Sequence, residues 1–498
     1  MVSETTNATQ MSARLEAAPS QKHLLYLSER KILLALFDLL LINCAFEISS
    51  HLRALDDRTF QFASTPFSSK VLWFALLSVF YFVCSLVLGG YDLVRAASFR
   101  RSMGQVTLAL NLAWVAFLFI PFATPTLPPS RLHIFLFPAI GTGLLLIWRL
   151  VYATVFAHPN FQQRALVIGA GGAGRTLVTA INEAKQGKNW ADSERKSNLG
   201  YSVLGYVDDA IEPQTILEGV PVVGNRGDLT RLVSDMKINE IVVAITHLET
   251  LHPELLEVIQ QCREWGISIT TMTDLYERLS GRVPIEHAGS ALAVAMPIVQ
   301  KPTHRFYLML QRVCDIVGGL VGCALLLVLM PFVWLANLLK SPGPLFYSQE
   351  RVGRGGHPFQ IVKFRSMRVD AEKFGAVWAQ ENDPRITPIG KFLRGSRLDE
   401  FPQFWNILKG DMSLIGPRPE RPQFVGQLTR EIPFYRVRHA VKPGLTGWAQ
   451  VKYRYGASVE DALIKLQYDL FYIKRQSLLL DAEVAFKTIP IILGFKGR

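Results

Sequence analysis

A chain of 498 residues, 49% of them hydrophobic and only 19% charged, is too apolar for disorder and falls short of the roughly 25% charged residues of an average soluble domain. At about 100 to 200 residues per domain it has room for three or four folded units, and because its apolar residues come in blocks, one unit is expected in a bilayer. The 53 Lys and Arg exceed the 41 Asp and Glu to give +12, which points to anionic lipid headgroups, phosphorylated substrates or nucleic acid. Cys44, Cys84, Cys262, Cys314 and Cys323 show no CxxC or Cys/His spacing, and four of them lie in apolar stretches, so a disulfide framework and a zinc site are not expected.

Residues 1–30 read as a polar, disordered tail without the apolar core of a secretory signal. Four apolar segments follow, at about residues 32–50, 71–91, 105–124 and 133–156, each near the roughly 20 residues a spanning helix needs. Asp38 interrupts the first, and at a cost of at least about 2.5 kcal/mol for a charge at mid-bilayer it is expected to face the bundle interior in an interhelical hydrogen bond, or to be neutral. Arg95, Arg100 and Arg101 crowd the second connection, whereas the third holds one Arg. That asymmetry places the tail and the second connection in the cytoplasm, and an even number of spans returns the chain there.

From Arg164 the pattern changes to alternating strands and helices, RALVIGAGGAGRTLVTAINEA, YSVLGYVDD, GVPVVG and INEIVVAI, which predicts a Rossmann-like parallel sheet over 164–295. Gly169, Gly171 and Gly174 form GxGxxG between a strand and a helix, a context that favours phosphate. The acid expected about 20 residues on is displaced by a polar insertion before Asp208 and Asp209, so nucleotide binding and a tight turn both stay open. None of the 14 tyrosines has Lys four residues on, which disfavours a nucleotide-sugar dehydratase. The domain reads as regulatory or scaffolding.

Ile316 to Leu339 is a run without a charge, long enough to cross a bilayer, yet Arg305 and Arg312 precede it and Lys340, Arg351 and Arg354 follow. Crossing would expel one basic cluster. Pro331 removes a helical hydrogen bond inside the run, and the expectation is a re-entrant helix-break-helix over 313–340, with a simple fifth span as the alternative.

In IVKFRSM, strand alternation places Lys363 and Arg365 on one face, suited to a diphosphate or merely solvated. Asp399 and Glu400 lie where a helix should begin, because Pro402 is acceptable only in a first turn. Acids there can simply complement the helix dipole. However, Arg394, Arg397, Lys409 and Arg418 crowd this pair, and Pro417-Arg418-Pro419 holds a guanidinium on a stiff turn, ready for phosphate oxygens. A carboxylate so placed can approach an anionic phosphate as a covalent nucleophile.

The series DIVGGLVG, SPGPLFYSQERVGRGG, KFRSM, NDPRITPIGKFLRGSRLDEFPQFWNILKGDMSLIGPRPE and KPGLTGWAQV resembles the bacterial polyprenyl-phosphate sugar-1-phosphate transferases, the monotopic phosphoglycosyl transferases that start exopolysaccharide or O-antigen units. The likeness runs from about Arg305 to the end, and the four spans with a Rossmann-like domain resemble the long-form members. It implies a fold of four transmembrane helices, a Rossmann-like parallel-sheet domain, and a mixed α/β catalytic domain (305–498) anchored by a re-entrant membrane hairpin. It implies that Asp399 attacks a UDP-hexose, releasing UMP, and that undecaprenyl phosphate then takes the phosphosugar. Glu400 becomes the partner acid, holding Mg²⁺ with Asp399 or managing protons. Lys363, Arg394 and Arg418 become the contacts to phosphates or headgroups, and Pro331 the helix-breaking proline. The resemblance places the enzyme in the inner membrane facing the cytoplasm, with membrane lipids as partners, and favours a homodimer. YRYGASVEDAL resembles the exopolysaccharide branch, where glucose 1-phosphate is a frequent cargo. A regulator with an inactive transferase half is disfavoured by the intact acid pair, and nucleic-acid binding by basic residues lying beside membrane-seeking segments. The aromatic and basic residues from Val441 to Asp481 suit helices at a headgroup boundary, or alternatively a packed C-terminal helix.

Overall fold

The computed structural model describes residues 27–56, 65–91, 96, 99–120, 124–125, 131–156, 163–186, 201–245, 252–287, 302–371, 383–453, 456 and 458–493. Residues 1–26 of the polar tail, Arg95, the 187–200 insertion and Tyr455 lie outside the described residues; residues 27–30, expected to be disordered, already belong to the first helix. The chain forms two compact units, one ending at Leu275 and the other running from Tyr276.

The first unit opens with four helices, α1 (Leu27–Asp56), α2 (Phe67–Val87), α3 (Phe99–Leu118) and α4 (Arg131–Phe156). They close on a shared apolar core that includes Ile42, Phe46, Leu77, Val106, Phe117, Phe137 and Leu145. Ile32, Leu36, Leu40 and Ile147 meanwhile face outward. Such helices, apolar outside as well as inside, belong in a bilayer. By length and composition α1, α2 and α4 can cross one, while the apolar part of α3, Ser102–Leu118, is shorter. The third segment was expected at 105–124; its helix starts earlier and stops before Pro121, which cannot supply a helical amide.

Asp38 is fully buried and ion-paired with Arg149 of α4, and it accepts a hydrogen bond from Tyr81 of α2 at 3.1 Å. Arg149 also donates to the Gly90 carbonyl at 3.1 Å. The interior hydrogen bond expected of Asp38 is there, on a partner the sequence reading did not single out.

The same unit continues with β1 (Gln163–Ile168), α5 (Gly172–Gln186), β2 (Tyr201–Val207), β3 (Ile216–Leu217), β4 (Val220–Gly224), α6 (Leu229–Asp235), β5 (Glu240–Val243), α7 (Pro253–Glu264) and β6 (Ser268–Thr271). The strands form one sheet in the order β3-β4-β2-β1-β5-β6, parallel except where β3 turns back on β4. The near-continuous burial of β1 follows from helices covering both faces of a parallel sheet.

After α8 (Met272–Ser280), the second unit is built on α9 (Pro302–Lys340), about 58 Å of helix at 1.5 Å per residue. The helix continues through Pro331, where a break was expected, and begins at Pro302, well before residue 313; Arg312 and Asp315 turn inward onto the unit. Arg312 donates to the Ile407 and Leu408 carbonyls at 2.8 and 2.7 Å, and Asp315 accepts from Ser413 Oγ and the Leu414 amide at 2.9 and 2.8 Å. Near the helix start Tyr307 donates to Asp481 at 2.8 Å. Val317, Leu320, Leu327, Val328 and Leu338 remain exposed.

The rest of the unit is the hairpin β7 (Phe346–Val352) and β8 (Pro358–Phe364), then α10 (Pro388–Gly395), a 3₁₀ turn at Leu398–Glu400 and α11 (Gln403–Lys409). After these come β9 (Ser413–Ile415), α12 (Pro422–Glu431), a 3₁₀ helix at Tyr435–Ala440, β10 (Gly444–Thr446), α13 (Trp448–Lys452), α14 (Val459–Lys474) and α15 (Leu478–Leu493). Close approach between α9 and α11 depends on Gly322: a Cβ there would stand 2.1 Å from the Phe404 ring, so no other residue leaves room for α11 and the turn before it.

Two further differences from the sequence expectation have simple causes. Tyr276–His287 belongs with the second unit, since Glu277 is buried in ion pairs with Lys474 and Arg475, and the Val283 amide donates to the Gln467 carbonyl. Trp448, Tyr468 and Tyr472, read as suited to a headgroup boundary, are buried in the unit's core. The exposed apolar residues lie instead on α15, at Leu478, Leu479, Phe486, Ile489 and Ile492.

Candidate active site

A cavity of about 380 Å³ opens within the second unit, lined by eleven cationic side chains against four carboxylates. Two of those carboxylates are Asp399 and Glu400. Thr387 caps α10 by accepting from the Gly390 amide at 3.0 Å, and the helix ends at Gly395. Arg397 then adopts a left-handed conformation at φ 57°, uncommon for a side-chain-bearing residue. It turns the chain so that both acids face inward, buried to 8% exposure each.

The two acids have opposite surroundings. Glu400 is gripped by Arg418 at 2.7 Å, Arg397 at 3.5 Å and Lys363 at 4.0 Å. Asp399 lines the cavity and accepts no side-chain hydrogen bond among the described residues. Burial favours the protonated form of both. For Glu400 the field of Arg418, Lys363 and Arg397 outweighs burial and holds the carboxyl well below its ordinary value. For Asp399 burial, reinforced by the charge of Glu400, prevails over Lys363, Arg394 and Arg418 and lifts the carboxyl to about 6. Neighbouring acids pushed apart in this way take different roles: one stays a fixed charge, the other a basic oxygen with a free lone pair.

Lys363 projects from the face of the β7–β8 hairpin shared with Tyr347 and Arg351, opposite Tyr347 in register. Burial pulls its ammonium below the usual value, with Glu400 opposing. The Arg394 guanidinium lines the cavity with no hydrogen bond or ion pair among the described residues, and the Nε of Arg397 is buried without a hydrogen-bond partner. These are donors suited to an anion. Arg365 lines the same cavity and also donates to the Pro344 carbonyl at 2.7 Å, the Ser341 hydroxyl at 3.1 Å and the Ser341 carbonyl, tying β8 to the end of α9. Arg351, Arg397 and Arg438 were not among the expected site residues, although the cationic run before the acids marked Arg397.

Asp399 and Glu400 are the adjacent acids that would hold a magnesium ion, and among the described residues no three His, Cys, Asp or Glu side chains group as a metal cage. That donor set fits Mg²⁺, which commonly uses one or two carboxylates and takes its remaining ligands from water and phosphate.

In the first unit Gly169, at φ 98°, turns the chain out of β1, Gly174 packs so closely that a Cβ would stand 2.1 Å from the Gly169 carbonyl oxygen, and Gly171 faces open space. The Ala170 amide donates to Asp208 at 2.7 Å. The acid displaced in sequence thus stands beside the glycine loop at the end of β2, where its carboxylate occupies one of the loop's amides.

Comparison with known proteins gives a bacterial sugar transferase family over residues 306–494 and a CoA-binding domain family over residues 86–272. A UDP-N-acetylgalactosamine-undecaprenyl-phosphate N-acetylgalactosaminephosphotransferase of Aeromonas hydrophila is 43% identical over 52% of this chain and 60% of its own length. UDP-glucose:undecaprenyl-phosphate glucose-1-phosphate transferases of Xanthomonas campestris and Escherichia coli are 32% and 31% identical. They cover 67% and 71% of this chain, and 67% and 75% of their own lengths. With an acid pair of divided character in a cationic cavity and relatives matched along both units, the chain belongs to the bacterial polyprenyl-phosphate sugar-1-phosphate transferases.

Proposed function

We propose that this membrane protein transfers a hexose 1-phosphate from a UDP-sugar to undecaprenyl phosphate through a phosphosugar carried on Asp399, as the first membrane step of exopolysaccharide or O-antigen assembly. The observation that carries this reading is the divided acid pair, with Glu400 locked by three cations and Asp399 left open to the cavity. An Asp399 oxygen attacks the β-phosphorus, the bond from that phosphorus to the UMP oxygen breaks, and UMP leaves with the electron pair. A phosphate oxygen of undecaprenyl phosphate then attacks the same phosphorus and frees the carboxylate. Lys363, Arg394 and Arg418 meet the charge that develops on the phosphoryl oxygens. Asp399 and Glu400 would hold Mg²⁺, which supplies charge neutralisation for a diphosphate approaching a carboxylate. The test is intact-protein mass spectrometry after incubation with a panel of UDP-sugars and Mg²⁺: one donor is expected to leave a hexose-phosphate adduct, and no adduct with any donor overturns the reading.

We further infer that α9 enters one leaflet and that the transferase unit lies on the cytoplasmic face of the inner membrane. Support comes from the two ends of the helix: Tyr307 near its start and Ser341 just past its end are both bonded to the same compact unit, which cannot occupy both sides of a bilayer. Single cysteines replacing Arg305 and Lys340 in a cysteine-free background should both react with an impermeant maleimide in inside-out vesicles and neither in right-side-out vesicles. Labelling of one from each side would make α9 a crossing helix.

A further inference from the structure

We propose that Arg438 is a positioning residue for the transfer: it holds the main chain of Arg418 so that the Arg418 guanidinium stays on Glu400 and over the cavity. The assignment rests on the transferase reading above. Arg418 stands between Pro417 and Pro419, neither of which has an amide hydrogen to donate, so this strap is secured through its carbonyls. The Pro417 carbonyl accepts from the Gly444 amide at 2.9 Å, and the Arg418 carbonyl from Arg438 at 3.0 Å. Arg351 takes the Pro419 carbonyl, and the Val352 amide the Glu420 carbonyl, each at 3.0 Å.

Arg438 is the one that links the strap to two other elements of the unit, and its partners Tyr435 and Asp469 line the cavity with it. The Nη2 that holds Arg418 also donates to Asp469 of α14 at 2.9 Å, and Nη1 donates to the Tyr435 hydroxyl at 2.6 Å. Both ions of this pair are buried. A buried ion pair is a weak device for stability alone, since an apolar replacement of similar volume is often as stable. What an apolar side chain cannot do is fix one carbonyl in direction. A planar guanidinium reaching three acceptors does this, and the single ammonium of lysine reproduces it poorly.

The test is a double-mutant cycle in the full-length protein, reading single-turnover UMP release. Arg438→Lys is expected to slow release by about 10²-fold, the order of loss that small misplacements of reacting groups produce. In an Arg418→Ala background the same change should cost less than about twofold, because the group it positions is gone. Tyr435→Phe, which removes only a hydroxyl, should slow release about fivefold in the wild-type background and not in the Arg418→Ala background, and it stands in if Arg438→Lys fails to fold. Equal costs in the two backgrounds with an active wild type overturn this assignment alone and leave Arg438 a structural residue. A wild type that releases no UMP from any UDP-sugar overturns both this and the transferase reading.

Discussion

Asp399→Asn is expected to eliminate the covalent adduct and to lower UMP release by about 10⁴-fold or more, the scale on which removal of a covalent nucleophile acts. The amide keeps the size of the carboxylate and removes its nucleophilic oxygen, so the change separates chemistry from packing. Glu400→Gln should behave differently. It deletes the negative charge that helps to raise Asp399 and leaves Arg418, Arg397 and Lys363 facing the remaining acid. The wild-type rate should therefore rise with pH and level off once Asp399 is ionised, since the protonated acid cannot attack; the carboxyl stands at about 6 without metal, and Mg²⁺ would draw the acidic limb lower. In Glu400→Gln that acidic limb should move to lower pH while the maximum rate falls, because a less basic carboxylate is a weaker nucleophile. Stopped assays of UMP release across pH 4.5 to 8 read both. An acidic limb unmoved by Glu400→Gln would break the electrostatic division of labour between the two acids, and an adduct on Asp399→Asn would move the nucleophile elsewhere.

Much of this arrangement was legible in the chain because it rests on local signals. The membrane helices announce themselves by apolar length, the sheet by strands alternating with helices, and the acid pair by its place before Pro402 among arginines. What stayed hidden depends on contacts between distant segments. Arg149 lies in an apolar run like any other until α1 brings Asp38 against it. Arg365 shares strand parity with Lys363 and lines the same cavity, but the closure of its guanidinium on Ser341 is a contact no local pattern announces. Asp208 is too far along the sequence for the usual ribose acid, yet the sheet returns it to the glycine loop, since spacing in residues is not spacing in space when a long connection intervenes. The tyrosines of α14 have the composition of an interfacial helix and the burial of a core one, a distinction only tertiary packing makes.

Arg149→Ala is expected to destabilise the four-helix bundle by about 3 to 5 kcal/mol, the cost of leaving one member of a buried ion pair without its partner. Asp38 and Arg149 are both fully buried, and neutral donors such as Tyr81 would remain to hydrogen-bond the orphaned carboxylate without offsetting its charge. In lipid no water is at hand to replace the lost guanidinium, and the Gly90 carbonyl, which also accepts from Arg149, would lose that bond as well. Asp38→Ala should cost a similar amount by stranding the guanidinium. The double replacement Asp38→Leu with Arg149→Met should recover most of the loss, because two apolar side chains in an apolar bundle leave no charge to compensate. Thermal unfolding of the full-length protein in detergent, wild type against the two single variants and the double, reads the coupling directly. Single variants that melt with the wild type, or a double variant that loses the sum of the two, would mean that the pair is solvated and that the bundle is held by its apolar core alone.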